Sequence, residues 1–285
     1  MQVLEEQLGL SGTHRGIYIM GKLFAVVVIV ITLISVSFFV MHTWWMPADI
    51  STTGPAIDHQ LEETMTGSGL LFLAGQLVLG LFVWQASNKN PARKIKIFPG
   101  GANPLVAAAI ILVGIEILTL TFVGTKAWGA VNLAPAAADS LHIDVQAEQF
   151  AFYFRYAGPD GKFGGLHPDK IDDGSGNYFG LDPANDVAAR DDVVVGSLVV
   201  PVNRPILLTM HSKDVGHSLY VPVLRIQQDF VPGLDIPVHF TATQTGKFEI
   251  VCTQLCGLGH YNMKAYLEVM SESDYEQWLK GQEGQ

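Results

Sequence analysis

The sequence predicts a membrane-anchored α + β protein, with three transmembrane helices followed by a β-barrel or sandwich. Three observations carry this. The chain of 285 residues is 49% hydrophobic and only 15% charged, and its mean hydropathy is positive. Its apolar residues gather into three long runs within the first 130 positions. The remainder breaks into short alternating segments separated by turn residues, the pattern of a β domain.

The first span covers about 17–45, with an apolar run from Leu23 to Met41, Lys22 at its start and Trp44-Trp45 at its end. The second covers 69–87, from Gly69 through Trp84, and the third 104–128, ending at Lys126 and Trp128. Each supplies the ~20 residues a helix needs to cross a bilayer, and the flanking tryptophans fit the interfacial belt. Residues 46–66 hold Asp49, Asp58, Glu62 and Glu63 and no Lys or Arg, whereas Lys89, Arg93, Lys94 and Lys96 cluster between spans two and three. By the positive-inside rule the second loop and the amino terminus, with Arg15, are cytoplasmic, and everything after the third span lies outside. The first run is too long for a signal peptide and Glu5-Glu6 is a poor start for one, so the span is expected to be retained. Glu116 sits in the middle of the third span. A carboxyl there is costly and faces protein or water, which makes it either a possible proton-path residue or a hydrogen-bonded helix contact.

Residues 1–130 form the membrane domain, 131–140 an Ala/Pro-rich linker and 141–285 the extracytoplasmic domain. Residues 131–285 hold 20 acidic against 10 basic side chains, and residues 1–130 hold 7 of each, so the whole net charge of −10 belongs to the outer domain. That charge disfavours nucleic acid and favours basic partners. Strands are predicted at 141–145, 149–156, 193–200, 206–211, 219–223, 238–243, 247–251 and 265–270. A Gly-, Asp-, Asn- and Pro-rich surface loop is predicted at 157–192; Asp169, Asp172 and Asp173 lack the spacing of a calcium loop. A short helix at 273–281 would be capped by Ser271 or Ser273.

The chemistry concentrates in Cys252-Thr-Gln-Leu-Cys256-Gly-Leu-Gly-His260-Tyr-Asn-Met263, which contains both cysteines of the chain. Thiolate, imidazole and thioether together suit copper; zinc is seldom given a Met ligand. Cys256, His260 and Met263 with one distant His would make a mononuclear site, in which Cys252 has no role. Two thiolates can instead bridge two copper ions, with one His on each and Met263 and a backbone carbonyl as weak ligands. His217, 35 residues before Cys252, is the best second imidazole. A disulfide between the cysteines would leave His260, Met263 and the His217 segment unexplained. With this loop between its last two strands, the outer domain is expected to be a cupredoxin-like barrel or sandwich.

The Cys-x3-Cys-x3-His-x2-Met loop, with Asp214-Val215-x-His217-Ser218 and Gln228-Asp229-Phe230-Val231-Pro232-Gly233 before it, resembles subunit II of the heme-copper oxidases over residues 141–280. The resemblance implies a binuclear CuA centre with two copper ions, held by His217, Cys252, Cys256, His260, Met263 and the backbone carbonyl of Gln254. It implies electron entry from cytochrome c or a similar donor and delivery to haem in a membrane subunit I, where oxygen is reduced; further subunits are possible. It places the chain in the cell (inner) membrane, multi-pass, with the copper domain periplasmic.

Several positions depart from the common pattern. Phe150 and Phe152 stand where many relatives have tryptophans, as in the B-type branch, and offer either a donor-docking surface or core, since they are expected on one strand face. Gln254 replaces a Glu that reaches a magnesium site in many relatives. Asp214 matches an acidic position near the donor site. The family's proton-entry Glu lies near the cytoplasmic start of the last span, and Glu116 lies deeper. His211 and His239 are read as structural. No Cys-x2-Cys-His haem motif is present. Two other functions compete with this one: the same electron-entry role in a CuA-type nitric oxide reductase, and a membrane-anchored copper delivery or storage protein. The eight methionines are scattered, which disfavours the latter.

Overall fold

The computed structural model describes residues 10–41, 46–87, 104–133 and 135–282. Glu5-Glu6, Trp44-Trp45 and the basic cluster Lys89, Arg93, Lys94 and Lys96 lie outside the described residues. The chain divides into two compact units, Met1–Trp45 with His59–Gly124, and Met46–Asp58 with Thr125–Gln285.

Three helices shape the first unit: α1 (Leu10–Met41), α2 (Gly54–Ala86) and α3 (Pro104–Asn132). Each contains a segment long and apolar enough to cross a membrane. They expose side chains such as Ile31, Phe82, Ile110 and Leu118, which a bilayer but not water would accept. Their hydroxyls fold back on the helix: Thr32 donates to the carbonyl of Val28, Ser37 to Leu33 and Thr119 to Ile115. Each hydroxyl is thereby satisfied without a partner outside its own helix.

The second helix starts at Gly54, ahead of its apolar run, and the third reaches Asn132. Asp58, Glu62 and Glu63, expected in a loop, therefore ride on the first turns of α2. The start is prepared locally: Asp49 Oδ1 accepts from the Ser51 amide, and Ser51 Oγ accepts from the Gly54 amide at 2.7 Å. This satisfies an amide that a helix N-terminus would otherwise leave open.

The second unit is a β-sandwich of two five-stranded sheets. Its strands are β1 (Leu141–Glu148), β2 (Ala151–Tyr156), β3 (Val193–Val195), β4 (Leu198–Pro201), β5 (Pro205–Ser212), β6 (His217–Val221), β7 (Ile226–Phe230), β8 (Ile236–Thr241), β9 (Gly246–Cys252) and β10 (Lys264–Met270). One sheet has the order β3-β2-β1-β5-β8 and the other β4-β10-β9-β6-β7. Pairing is antiparallel except for β1 with β5 and β4 with β10. Ile143, Val145, Phe154, Leu208 and Met210 from the first sheet meet Leu198, Leu219, Ile250 and Leu267 from the second, all essentially inaccessible.

The predicted strand at 193–200 is two strands broken at Gly196-Ser197, and β7 escaped the sequence pattern because Gln228 interrupts the alternation between Ile226 and Phe230. The strand expected at 149–156 begins at Ala151, since Gln149-Phe150 forms the turn of the β1–β2 hairpin, where Glu148 pairs with Ala151. A short helix, α4 (Glu272–Gln282), closes the domain. Ser271 Oγ accepts from the Asp274 amide, a helix cap, and Tyr275 and Trp278 pack on Tyr156.

The face of β1 turned away from the core is also buried, yet polar: Asp144, Gln146 and Glu148 are each under a tenth exposed. The 157–192 segment covers it. Arg155, 1% exposed, donates to Asp144 Oδ2 at 3.3 Å, to Asp192 Oδ2 at 2.6 Å and to the carbonyl of Gly164. Gln146 donates to the carbonyl of Tyr178, whose ring stacks on Tyr153. Burial raises the pKa of both Asp144 and Asp192 despite the guanidinium between them, so the cluster depends on Arg155 to remain charged. Arg155→Met is expected to destabilise the protein by about 3–5 kcal/mol by stranding two buried carboxylates, measured by urea unfolding in detergent. Arg155→Lys should recover only part of this, because Lys lacks the planar fork.

Residues 46–58 also belong to this unit. Ile50 is 1% exposed, its amide donates to Val223 and its carbonyl accepts from Thr243, and Ser51 bridges to Ala242 beside the β8 edge. Arg225, in a left-handed turn at φ 58°, grips both carboxylate oxygens of Asp58 at 2.7 and 2.9 Å and the carbonyl of Pro47.

Candidate metal centre

His217 opens β6, Cys252 closes β9, and the Cys252–Met263 loop returns into β10. Antiparallel pairing of β6 with β9 places Leu219 opposite Cys252, and β6 pairs with β7 through His217 and Phe230. The strand end and the loop thus meet at one edge of the sandwich. His217, Cys252, Cys256 and Met263 are all buried, at 0%, 7%, 4% and 2% exposure.

The ligand atoms of His217, Cys252 and Cys256 lie within 4.8 Å of one another. The two sulfurs are 4.0 Å apart and free, about twice the length of a disulfide bond. Cys256 Sγ is 3.6 Å from His260 Nδ1 and 3.7 Å from Met263 Sδ, and Cys252 Sγ is 3.2 Å from the Gln254 carbonyl. The structure brings together all six groups named from the sequence.

His217 is positioned by Asp214. The imidazole Nε2 and Asp214 Oδ1 are 2.7 Å apart, so Nε2 carries the hydrogen and Nδ1 the lone pair. Nδ1 is buried with no hydrogen-bond partner. Such an orphan costs about 1–3 kcal/mol unless something binds it. Asp214 accepts in addition from the amides of Gln149 and Val215. Burial would raise its pKa, but the hydrogen bonds from His217, Gln149 and Val215 outweigh it and hold the carboxyl below its usual range. Burial pushes the Cys256 thiol up to about 11, with neighbouring Cys252 adding to it; occupancy by a metal therefore has to displace protons. Two thiols, a lone imidazole nitrogen, a second imidazole and a thioether fit copper.

The two phenylalanines separate. Phe152 is core, 2% exposed and packed on Phe230 at 5.8 Å. Phe150 is 39% exposed and does not share the strand face with Phe152, because it sits in the hairpin turn. Its ring covers the loop glycines: a Cβ at Gly259 would lie 2.4 Å from Phe150 Cδ2. Sequence reading missed Gln149, whose side chain donates to the Cys256 carbonyl at 2.5 Å, and Gly257, with φ 139°, where a Cβ would meet that amide at 2.7 Å. No spacing rule links residues 149 and 257.

The sandwich, the three helices and this donor set define a membrane-anchored chain with a cupredoxin-like domain. The model of the cytochrome c oxidase subunit II periplasmic domain matches residues 183–270. The chain is 30% identical over 260 residues to the alternative cytochrome c oxidase subunit 2 of Bradyrhizobium diazoefficiens, covering 90% of this chain and 91% of that one. It is 28% identical over 279 residues to cytochrome c oxidase subunit 2 of Thermostichus vulcanus, covering 88% and 82%. The periplasmic domain of subunit II of cytochrome oxidase (CoxB) of Bradyrhizobium japonicum superposes with a TM-score of 0.38 at 24% identity, over 52% of this chain and 96% of that one. The chain belongs to the cytochrome c oxidase subunit II family, whose members are subunits of heme-copper oxidoreductase complexes.

Asp214→Ala should leave the sandwich folded and weaken copper retention about 10–100-fold by releasing the His217 ring, as read by competition with a copper chelator.

Proposed function

We propose that the pocket holds two copper ions as a binuclear CuA centre, and that the chain is the electron-entry subunit of a membrane terminal oxidase. The observation that carries this is the pair of free, buried thiols 4.0 Å apart clustered with the His217 ring, whose Nδ1 is buried without a partner. A mononuclear blue-copper site uses one thiolate; the second thiolate of this pocket has a role when two ions share the pair. His217 and His260 would each serve one ion, with Met263 and the Gln254 carbonyl as weak donors. When bound, the copper pair supplies a one-electron store between cytochrome c, or a similar donor outside the membrane, and the haem of subunit I, where oxygen is reduced.

The chain's own residues do the rest. The sandwich holds His217 and both cysteines on elements joined by backbone pairing, so little rearrangement accompanies a change of charge. Burial keeps bulk water off the sulfurs. Phe150 offers a half-open apolar face over the loop, and Leu255, Leu258 and Tyr261, 78–97% exposed, form an apolar rim of the kind that marks an interaction site. The acidic surface suits a basic donor. Asp214, already committed to His217 and Gln149, contributes charge from a fixed position. In this reading the amino terminus is cytoplasmic and the copper domain periplasmic.

The purified complex should contain two coppers for each copy of this chain in the domain. Its electron paramagnetic resonance should show one electron shared by two copper nuclei, and Cys252→Ser should abolish that sharing. One copper per chain with an unshared electron would overturn the reading. Turnover should be supported by oxygen, and electron input from a basic cytochrome should slow as ionic strength rises, because exposed charges are screened beyond ~10 Å at 0.1 M salt.

A further inference from the structure

The donor groups of the pocket are not all anchored in the same way. His217 and Cys252 sit in the strand ladders, opposite Phe230 and Leu219, and the Cys252 amide donates to the Met263 carbonyl at 3.1 Å. His260 and Met263 share a tight turn, in which the Met263 amide donates to the His260 carbonyl. Cys256 lies between these anchors, outside every strand and helix. No backbone amide among the described residues donates to its carbonyl. The Gln149 side chain does so instead, from the β1–β2 turn of the other sheet, 107 residues earlier in the chain.

Gln149 has a second arm. Its main-chain amide donates to Asp214 Oδ2 at 2.8 Å, and Asp214 Oδ1 is 2.7 Å from His217 Nε2. One residue therefore touches both the carboxylate that orients His217 and the backbone that carries Cys256. The turn is itself pinned to the Asp214 loop. Lys213 donates from its amide to the Ala147 carbonyl at 3.0 Å and from Nζ to Glu148 Oε2 at 2.6 Å. The metal loop is shaped to admit the side-chain arm: Gly257 has φ 139°, and a Cβ there would lie 2.7 Å from Gln149 Nε2 and 3.1 Å from the Phe150 ring.

We infer that Gln149 is a positioning residue of the metal centre, whose side-chain amide fixes where the Cys256 thiol stands relative to the His217 ring. The gripped carbonyl carbon is one bond from the Cys256 Cα, so holding it restrains the backbone from which Sγ projects. An irregular loop held only at its ends must lose conformational freedom when its groups converge on a metal. A third anchor between the ends removes part of that cost before the metal arrives. Partners beyond the ligands themselves are worth about 10–100-fold in metal affinity. The Gln149 side chain acts on a ligand's backbone and not on a ligating atom, so the low end of that range applies. Gln149 supplies neither an electron nor a proton; its contribution is geometry.

The inference rests on copper occupying this pocket, as proposed above, and it holds for one ion or two. Two variants of the intact complex test it. Gln149→Met is of similar length and has no hydrogen to donate; Gln149→Glu is of equal length and puts a carboxylate in place of the donor. Both keep the main-chain arm to Asp214. In each, copper release from the reduced complex to excess bicinchoninate should be about 10-fold faster than in the wild type. The copper hyperfine splitting of the oxidised complex should change, while the thermal unfolding midpoint stays at its wild-type value. If one variant does not assemble, the other carries the same test. Release at the wild-type rate, or faster release with an unchanged splitting, would reduce Gln149 to a turn residue. A wild-type complex with no copper in this pocket would sink the reading of the site itself, and the inference with it.

Discussion

The site depends on one hydrogen bond, from His217 Nε2 to Asp214. It decides which nitrogen of a fully buried ring keeps its lone pair, in a ring clustered with two thiols. Asp214 can do this because its other oxygen is held by the Gln149 amide, at the hairpin turn whose side chains brace the Cys252–Met263 loop. Gln149 and Phe150 therefore link the two sheets at the metal end. The loop glycines are needed because those side chains approach the loop more closely than a Cβ allows.

A second set of constraints keeps the sandwich in shape at its polar flank. The strand β1 is buried on both faces, apolar toward the core and charged beneath the 157–192 segment. Charge under a cover is tolerable only when paired, and Arg155 supplies the pairing, with Lys213 serving Glu148 at 2.6 Å. The long Asp- and Gly-rich segment is thus held by side-chain hydrogen bonds and short turns instead of sheet pairing. Its sequence looked like a loop because its order resides in contacts that leave no periodic signature.

The helices illustrate a different limit. Hydropathy located the apolar runs but could not say that α2 begins at Gly54, since its first turns carry Asp58, Glu62 and Glu63. Those residues read as loop because charge argues against hydrocarbon; they are helical because the Ser51 cap and the Asp58–Arg225 pair stabilise the start. Glu116 was visible as an anomaly from its position alone. Which residues face it was not visible, because that depends on the register of two antiparallel helices.

What the sequence determined by itself was chemical type and local periodicity. Thiol, imidazole and thioether at short fixed spacing define a soft-metal donor set whatever the fold, and apolar runs or alternations report how each segment meets solvent or lipid. Tertiary structure decided the pairing of distant positions: His217 with the cysteines through the β6–β9 register, Asp214 as the group that orients it, Gln149 against the metal loop, Phe150 apart from Phe152, and Glu116 against Gly67 of α2. Local spacing carries information only across a few turns or strand residues, whereas these contacts are set by packing between segments tens of residues apart, where only the closed sandwich and the docked helices bring the atoms within reach.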